Sequence, residues 1–450
     1  MKTQPQSYSK PWEDHRSPKP DRQSGEWLRR VLPVVAFLVP LASVPGLKHP
    51  FSTPKFALVG ATILVGLSLS WFFRPRLPRL PAVIQVPLFA WLVVLSISAI
   101  TGETASLEGL LIQVFGIGWF VLLIQVRPSL RHLSWALVLS GVAVAGMVLF
   151  QYLGTDPFVL VGWVPLVSSH SRMRTYATLG NPNFVGAFLV PLVPVTMALY
   201  LSSTPMKDRW TRWLVPIFLL ELLAIFATGS RGAGLGLLGA VLGWSLLDRA
   251  RLPWRQVAVI VAVAAALVTF SPARGLKTTI EGRMYLWRIT AQHVWEAGLF
   301  GLGPGSFLAF FPQWETDWWR QGDSPESHRT FAGAEDHAHN DFLEFWVEQG
   351  TLGLVSFLAL IIACFGTAKR WTIASSKLEM GSAAGVISLL AVALVDFPLH
   401  RVTECFLFWT LLGCLFLSSG AHRKMADPFF QIFAPVPNES RGVTGKRRTS

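Results

Sequence analysis

Long apolar segments recur along this chain, and they constrain its fold more than any other feature of the sequence. A helix of about 18 to 20 apolar residues is long enough to cross the hydrocarbon core of a bilayer. Twelve segments reach or come close to that length, so we predict twelve membrane spans. The predicted spans cover residues 31–47, 56–73, 82–100, 108–126, 133–153, 183–201, 212–228, 233–247, 254–270, 347–366, 381–396 and 403–419.

The composition agrees with a membrane protein. Hydrophobic residues make up 52% of the chain and charged residues 14%, whereas soluble domains carry about 25% charge. The predicted fold class is therefore an all-α polytopic membrane protein. The net charge of +13 would suggest nucleic acid in a soluble protein. Because lysine and arginine collect in the cytoplasmic loops of membrane proteins, we expect the lipid bilayer, and no nucleic acid, as a partner.

The distribution of positive charge orients the predicted spans. Residues 1–30 and 420–450 are interpreted as cytoplasmic tails, the first of them disordered, on either side of a transmembrane domain at 31–419. With both termini cytoplasmic, most lysines and arginines fall on the inner side of the membrane. The outward loop at 101–109 contains none, as expected for a short outward loop.

The longest loop, about 271–346, joins spans nine and ten on the outward side. Loops of this length are usually functional or disordered, and this one is rich in tryptophan rather than of low complexity. Its sequence RMYLWRITAQHVWEAGLFG has helical periodicity, so we predict two or three short amphipathic helices on the outer membrane–water interface. The glycine-rich stretch at 298–307 is expected to make a tight turn between them.

The most polar stretch of the chain, EDHAHNDFLEFWVEQGTLG at 335–353, lies where this loop enters span ten. A histidine here, His337 or His339, suits a general base because imidazole exchanges a proton near neutral pH. The same residues are compatible with a zinc site if His293, His328 or a carboxylate supplies a third ligand. They are also compatible with histidines of a solvated loop.

Two outward arginines are candidates for binding a phosphate. Arg231, in TGSRGAGLG, lies where a span begins, so the positive end of the helix dipole adds to its charge. The alternative is an arginine that extends to the interface without a ligand. Arg283 and Trp287 are four residues apart and are expected to share one helix face. Arg288 points elsewhere and is a further candidate for binding the substrate.

Polar residues on other segments have two interpretations each. In RTYATLGNPNFVG at 174–186, Arg174 and Asn183 are candidates for binding a sugar or phosphate, although Asn183 also suits a helix cap. Glu221 lies in the middle of a span and is either functional or protonated and hydrogen bonded to a neighbouring helix. Asp396 and Arg401 lie at an outward helix end and are expected to pair.

These motifs, in this order, resemble those of the O-antigen ligase and O-antigen polymerase superfamily. The similarity covers about 175–415 and is strongest at about 213–360. The motifs that carry it are GNPN at 180–183, SRGA at 230–233, GR with LW at 282–287, GLGPGSF at 301–307, HAHNDFLEFWVEQGTLGL at 337–354 and the D-x-P motif at Asp396.

The resemblance implies a glycosyltransferase-C-like fold in the bacterial inner membrane and an active site on the periplasmic face. It implies a metal-independent, inverting enzyme without a cofactor that takes a glycan from undecaprenyl diphosphate. The acceptor of such a ligase is lipid A–core; superfamily polymerases use a second lipid-linked repeat, and other relatives a protein hydroxyl. By similarity, Arg231 and Arg283 bind the diphosphate and His339 is the base, with His337 and Asn340 as positioning groups.

A membrane transporter is the competing class of function. Transporters usually place polar residues and broken helices near the middle of the bilayer. In this sequence Glu221 is the one clear charge in the middle of a span, and the other candidates cluster at the outward ends. This distribution favours an enzyme.

Overall fold

The computed structural model describes residues 22–73, 80–102, 104–163, 175–203, 210–247, 254–270, 276–321, 331, 333, 335–371 and 377–417. Arg174, His328, the first 21 residues and the tail predicted from residue 420 lie outside this set. Every regular element among the described residues is helical, as predicted.

The α-helices follow one another along the chain with short connections. They are α1 (Arg22–Leu38), α2 (Thr53–Phe73), α3 (Ala82–Thr101), α4 (Leu107–Val126), α5 (Leu130–Tyr152), α6 (Pro157–Leu160), α7 (Pro182–Leu189), α8 (Leu192–Ser202), α9 (Thr211–Thr228), α10 (Arg231–Leu247), α11 (Trp254–Phe270), α12 (Leu276–His293), α13 (Phe307–Arg320), α14 (Asp341–Trp371), α15 (Lys377–Ala393) and α16 (Val402–Cys414). Short 3-10 helices cover Val39–Leu41 and Pro398–His400.

A helix occupies each of the twelve predicted spans, and the lengths of these helices support a polytopic membrane protein. Seven segments of the described chain are long and apolar enough to cross a bilayer: Thr53–Ser70, Ala82–Thr101, Leu107–Val126, Leu130–Tyr152, Pro182–Ser202, Thr211–Thr228 and Asp341–Thr367. Shorter apolar helices cover Arg231–Leu247, Val257–Leu267 and Val402–Cys414. The total of twelve spans stays a prediction.

The boundaries of the first helix differ from the prediction. Helix α1 begins at Arg22, inside the segment predicted as a disordered tail, and gives way to a 3-10 turn at Val39–Leu41 instead of continuing to residue 47. The following sequence VPGLKHP contains Pro45, Gly46 and Pro50. Gly46 has a positive φ of 82°, and proline cannot supply the amide that a continuing helix needs.

Close packing of α10 against α15 depends on small residues. A Cβ atom at Gly236, Gly239 or Gly243 would meet side-chain or backbone atoms of α15. Lipid is as apolar as the helices themselves, so helices in a membrane associate through close packing, and small residues let their backbones approach. The contact matters for the site because α10 begins at Arg231 and α15 ends just before Asp396.

The long loop predicted between spans nine and ten contains two helices, α12 and α13. They pack on each other and on the start of α14 around a second apolar core that includes Tyr285, Phe311 and Trp314. The prediction of two or three short helices is therefore confirmed. Their position on the membrane interface stays a prediction.

The glycine-rich loop between α12 and α13 docks on an interruption in α14. Gly350 in α14 has φ 68° and ψ −176°, so the helix is broken there. The amides of Leu302 and Gly303 donate to the carbonyls of Val347 and Glu348 at 2.9 and 3.0 Å. Thr351 in turn donates to Gly298 at 3.2 Å. The loop thus does more than turn the chain between two helices, because it satisfies the backbone groups that the break exposes.

Substitution of Gly301 tests this docking. Gly301 has φ 83°, and a Cβ there would collide with the backbone of Glu348 and Gln349. We expect Gly301→Ala to lower the free energy of unfolding by at least about 2 kcal/mol, from backbone strain and overpacking together. The measurement is the thermal unfolding midpoint in detergent.

The matched control is Gly366→Ala, in the second half of α14, where no atom lies within 4 Å of an added Cβ. Alanine is favoured over glycine in a helix by about 1 kcal/mol, so this variant should be as stable as the original protein or more so. Equal midpoints for both variants would show that the loop does not depend on a glycine at position 301.

Candidate active site

The turn that carries the histidine motif is fixed to two helices. Asn340 caps α14, because its side-chain oxygen accepts the amides of Phe342 and Leu343 at 3.0 and 3.1 Å. Its side-chain amide donates to the carbonyl of Leu394 at 3.2 Å, just beyond the end of α15. His339, the preceding residue, has φ 51°, a left-handed conformation that is uncommon outside glycine. Asn340 therefore fixes the turn to α14 and to the end of α15, and its predicted role in holding the substrate stays a prediction.

The two histidines of the motif face different carboxylates. His337 Nδ1 lies 2.6 Å from Glu344 Oε1, and the other oxygen of Glu344 accepts the amide of Ala338 at 2.9 Å. His339 Nδ1 lies 3.3 Å from Asp396 Oδ1. At that distance a small rotation of the ring completes the hydrogen bond, and such contacts often tighten only when substrate binds.

The environment distinguishes the roles of the two rings. Burial by itself would lower the pKa of His337, but the charge and hydrogen bond of Glu344 raise it above the ordinary value. His337 therefore holds a proton more readily than an ordinary histidine. His337 also stacks on Phe397 at 3.9 Å between ring centroids, while His339 meets the same ring edge-on at 5.0 Å.

Asp396 is held as an anion by its neighbours. Burial alone would raise the pKa of Asp396, but Arg401 and His339 hold it well below its usual range. Arg401 NH1 lies 3.3 Å from Asp396 Oδ2, which confirms the predicted pair, and Arg401 Nε lies 2.9 Å from Glu404 Oε1. The guanidinium also covers the ring of Phe184 at 4.0 Å. An ionised Asp396 at Nδ1 favours the tautomer of His339 in which Nε2 is free to accept a proton.

The two predicted arginines belong to the same electrostatic cluster. Arg231 is the first residue of α10, and the hydroxyl of Ser230 caps that helix by accepting the amide of Ala233 at 3.3 Å. Arg283 lies on α12, and burial is the main cause of its lowered pKa. The positive charge of Arg231 lowers this pKa further, whereas the negative charge of Asp396 raises it. Because Arg283 interacts with both groups, α12 brings it to the ends of α10 and α15.

Trp287 fixes the position of α12 relative to the histidine turn. Its indole Nε1 donates to the carbonyl of Ala338 at 3.1 Å. Trp287 therefore faces the motif, and the interaction of Arg283 with Asp396 agrees with the predicted shared helix face. Arg288 is exposed on α12.

A cavity of about 510 Å³ opens beside the two histidines. This volume falls within the range of small-molecule sites, about 300–1,000 Å³. The cavity is lined by His337, His339 and Asp396, by the segment before α2 and by Asn181, Asn183 and Phe184 at the start of α7. Its charged lining residues also include Glu108, Glu335, Asp336, Arg401 and Glu404.

Residues 216–358 match the protein-family model described as O-antigen ligase. The matched region contains Arg231, Arg283 and the whole histidine motif, so it coincides with the cluster described above. This match supports the resemblance to the O-antigen ligase and O-antigen polymerase superfamily. No curated protein matches the chain significantly. The family match supports a glycosyltransferase-type function on lipid-linked glycans in a membrane.

The O-antigen ligase match ends before Asp396, and it begins after Asn183, yet both residues line the cavity. The helix cap on α7 is Asn181, whose side chain accepts the amide of Asn183 at 2.9 Å. The prediction that Asn183 caps this helix is therefore wrong. The helix starts one residue earlier, at Pro182, because proline suits the first helical position.

The structure also shows the partners of Glu221 and His293. Glu221 in α9 accepts a hydrogen bond from the hydroxyl of Thr196 in α8 at 2.9 Å, which agrees with its interpretation as a group bonded to a neighbouring helix. His293 Nδ1 lies 2.8 Å from Glu296, and the His293 ring stacks on Trp314. The structure therefore does not bring His293 together with His337 and His339 as a set of metal ligands.

His400 and Glu344 were not predicted from the sequence as site residues. His400 lies in the 3-10 turn, with Nδ1 2.5 Å from Asp341 Oδ1, and Glu344 is the partner of His337. One signal was present in the sequence. Asp341, Glu344 and Glu348 are spaced at three and four residues, so they share one helix face, and the periodicity alone could have identified a buried acidic stripe.

Removal of Arg401 tests the ion-pair network. We expect Arg401→Met to lower the free energy of unfolding by about 3–5 kcal/mol, because the buried carboxylates of Asp396 and Glu404 lose their partner. The exposed arginine Arg212 provides the control, and Arg212→Met should change stability by less than about 0.5 kcal/mol. Chemical or thermal unfolding in detergent measures both.

The double variant Arg401→Met/Glu404→Gln distinguishes lost pairing from lost volume. It removes one of the stranded charges, so it should recover part of the stability that the single variant loses. If the double variant is as unstable as the single variant, the loss comes from packing rather than from charge.

Proposed function

We propose that this protein is a glycosyltransferase that transfers a glycan from undecaprenyl diphosphate to an acceptor hydroxyl at the periplasmic face of the bacterial inner membrane. The observation that carries the proposal is the position of His339, beside an ionised Asp396, in the same cluster as Arg231 and Arg283. O-antigen ligation to lipid A–core is the preferred reaction within the superfamily.

The arginines supply the electrostatic part of the mechanism. A lipid diphosphate is a dianion, and planar guanidinium groups bind phosphate oxygens in pairs. Negative charge on the leaving diphosphate grows as the glycosidic bond breaks. The two arginines are partly buried, Arg231 at the start of α10 and Arg283 on α12. They therefore stabilise the transition state more than the bound donor.

His339 supplies the base. Its Nε2 takes the proton of the acceptor hydroxyl as that oxygen forms a bond to the anomeric carbon. The bond between the anomeric carbon and the diphosphate oxygen breaks in the same step, and undecaprenyl diphosphate leaves with the electron pair. Direct displacement inverts the anomeric centre. The diphosphate is already an activated leaving group, so the step needs no ATP and no metal ion at the reacting atoms.

The cavity supports a glycan substrate next to the base. Its lining combines aromatic surface from Phe184 and Phe397 with hydroxyl-binding groups such as Asn183 and Glu335. Polar and charged side chains make up most of the lining, which suits a ligand rich in hydroxyl groups such as a sugar.

Substitution of the base and of an arginine tests the site. We expect His339→Ala and Arg231→Ala each to reduce transfer by at least about 100-fold, because general-base catalysis alone contributes about 10²–10⁴-fold. The assay uses purified enzyme with a lipid-linked glycan. Both variants should keep the thermal midpoint of the original protein within a few degrees.

The control for the base is His132→Ala on α5, an exposed histidine far from the motif. Full activity is expected in this control. Full activity in a folded His339→Ala variant would remove the base from the mechanism, and full activity in Arg231→Ala would remove that arginine from diphosphate binding.

Product analysis tests the choice of acceptor. The same purified enzyme and donor are offered lipid A–core, a second lipid-linked repeat, or a protein acceptor in separate reactions. The ligase proposal requires a product with lipid A–core and an inverted anomeric configuration by NMR. A product only with the second repeat indicates a polymerase, and a product only with protein indicates an oligosaccharyltransferase. Retention of configuration would contradict direct displacement.

A further inference from the structure

A compact group of buried acidic and imidazole side chains lies behind the catalytic turn. Glu344 and Glu348 on α14 are 1% and 2% exposed, and His400 on the adjoining 3-10 turn is 7% exposed. One ligand atom from each of the three lies within 4.8 Å of the other two. The proposed mechanism uses none of these side chains to touch substrate.

The distances within this group fit a shared ion. His400 Nε2 lies 3.3 Å from Glu348 Oε2 and 3.9 Å from Glu344 Oε1. Ligand atoms that surround one transition-metal ion at bond lengths of about 2.0–2.2 Å are themselves separated by about 3 to 4 Å. An ion can therefore bind between these three atoms with little movement of the side chains.

Two buried atoms in the group lack a hydrogen-bond partner among the described residues. They are His400 Nε2 and Glu348 Oε1. A buried polar atom without a partner costs about 1–3 kcal/mol, and more when the group is charged. His400 Nε2 is also the atom that lies near both glutamates, so a partner for it fits between the three side chains.

The second nitrogen of His400 is already oriented by a carboxylate. Nδ1 lies 2.5 Å from Asp341 Oδ1, and the other oxygen of Asp341 accepts the amide of Leu399 at 2.9 Å. A carboxylate on one ring nitrogen is the arrangement that fixes a metal-binding histidine, because it places the proton on Nδ1 and leaves Nε2 as the ligand.

We propose that Glu344, Glu348 and His400 form a structural site for one divalent transition-metal ion such as Zn²⁺ or Mn²⁺. Two carboxylates match the charge of a divalent ion, and a mixed set of carboxylate and imidazole ligands suits these metals better than Mg²⁺. Glu344 also holds His337 and the amide of Ala338. The ion therefore stiffens the turn that carries His339.

A proton is the rival occupant of the same space. An imidazolium at His400 that bridges Asp341 and Glu348 would satisfy part of the group without a metal. The two cases differ in measurable ways, since only the first gives a metal content and a response of stability to added metal. Neither result depends on whether the protein transfers glycans.

Metal analysis of the purified protein is the test. The protein is prepared in detergent without chelator, and its metals are measured by inductively coupled plasma mass spectrometry. We expect about one equivalent of a divalent transition metal per chain, and at least about a five-fold lower content in Glu348→Gln. After treatment with chelator, Zn²⁺ or Mn²⁺ should raise the thermal midpoint by several degrees, since an ion that binds only the folded state stabilises it, whereas Mg²⁺ should not.

Glu221→Gln is the matched control, because it alters another fully buried glutamate on a different pair of helices. It should keep the metal content of the original protein. If Glu348→Gln does not fold, His400→Asn removes the imidazole ligand instead, and the metal content and chelator response of the original protein are still measured. No bound metal together with no response to Zn²⁺ or Mn²⁺ overturns the proposal, and so does equal metal in Glu348→Gln and the original protein.

Discussion

The broken helix α14 is the feature on which the rest of the site depends. A break at Gly350 exposes backbone amides and carbonyls inside an apolar bundle, and each unsatisfied group there is costly. The loop at 298–303 satisfies them with its own backbone, and Ser98 of α3 donates to the carbonyl of Glu348 at 2.6 Å. These bonds fix the first half of α14, and with it the acidic stripe that anchors the histidine turn.

The buried charges around the first half of α14 are paired with one another. Buried ionic groups are tolerated only when partners and hydrogen bonds compensate the loss of water. Here Arg401 neutralises Asp396 and Glu404, and Asp341 and Glu344 each hold a histidine. Each of these carboxylates therefore has a cationic or imidazole partner that compensates its burial. This arrangement leaves His339 beside an anion and in contact with the cavity.

Local pattern was enough to predict several parts of the site. Asp396 and Arg401 are five residues apart, close enough to pair across one turn, and the apolar segment that follows Arg231 predicts a helix start near that residue. The periodicity of the long loop predicts α12, with Arg283 and Trp287 on one face. These predictions succeed because each depends on residues only a few positions apart. The contact of His339 with Asp396 joins residues far apart in sequence, so no local period signals it.

The sequence by itself determined that the chain is a bundle of apolar helices with its polar chemistry at helix ends, because segment length and hydropathy are local properties. It also carried the family motifs within residues 216–358. Only the tertiary structure decided which carboxylate each histidine contacts, where α14 breaks, and which arginines share an electrostatic site. Those outcomes depend on how distant segments satisfy one another's buried hydrogen bonds and charges, and that is a property of the packed bundle rather than of any one segment.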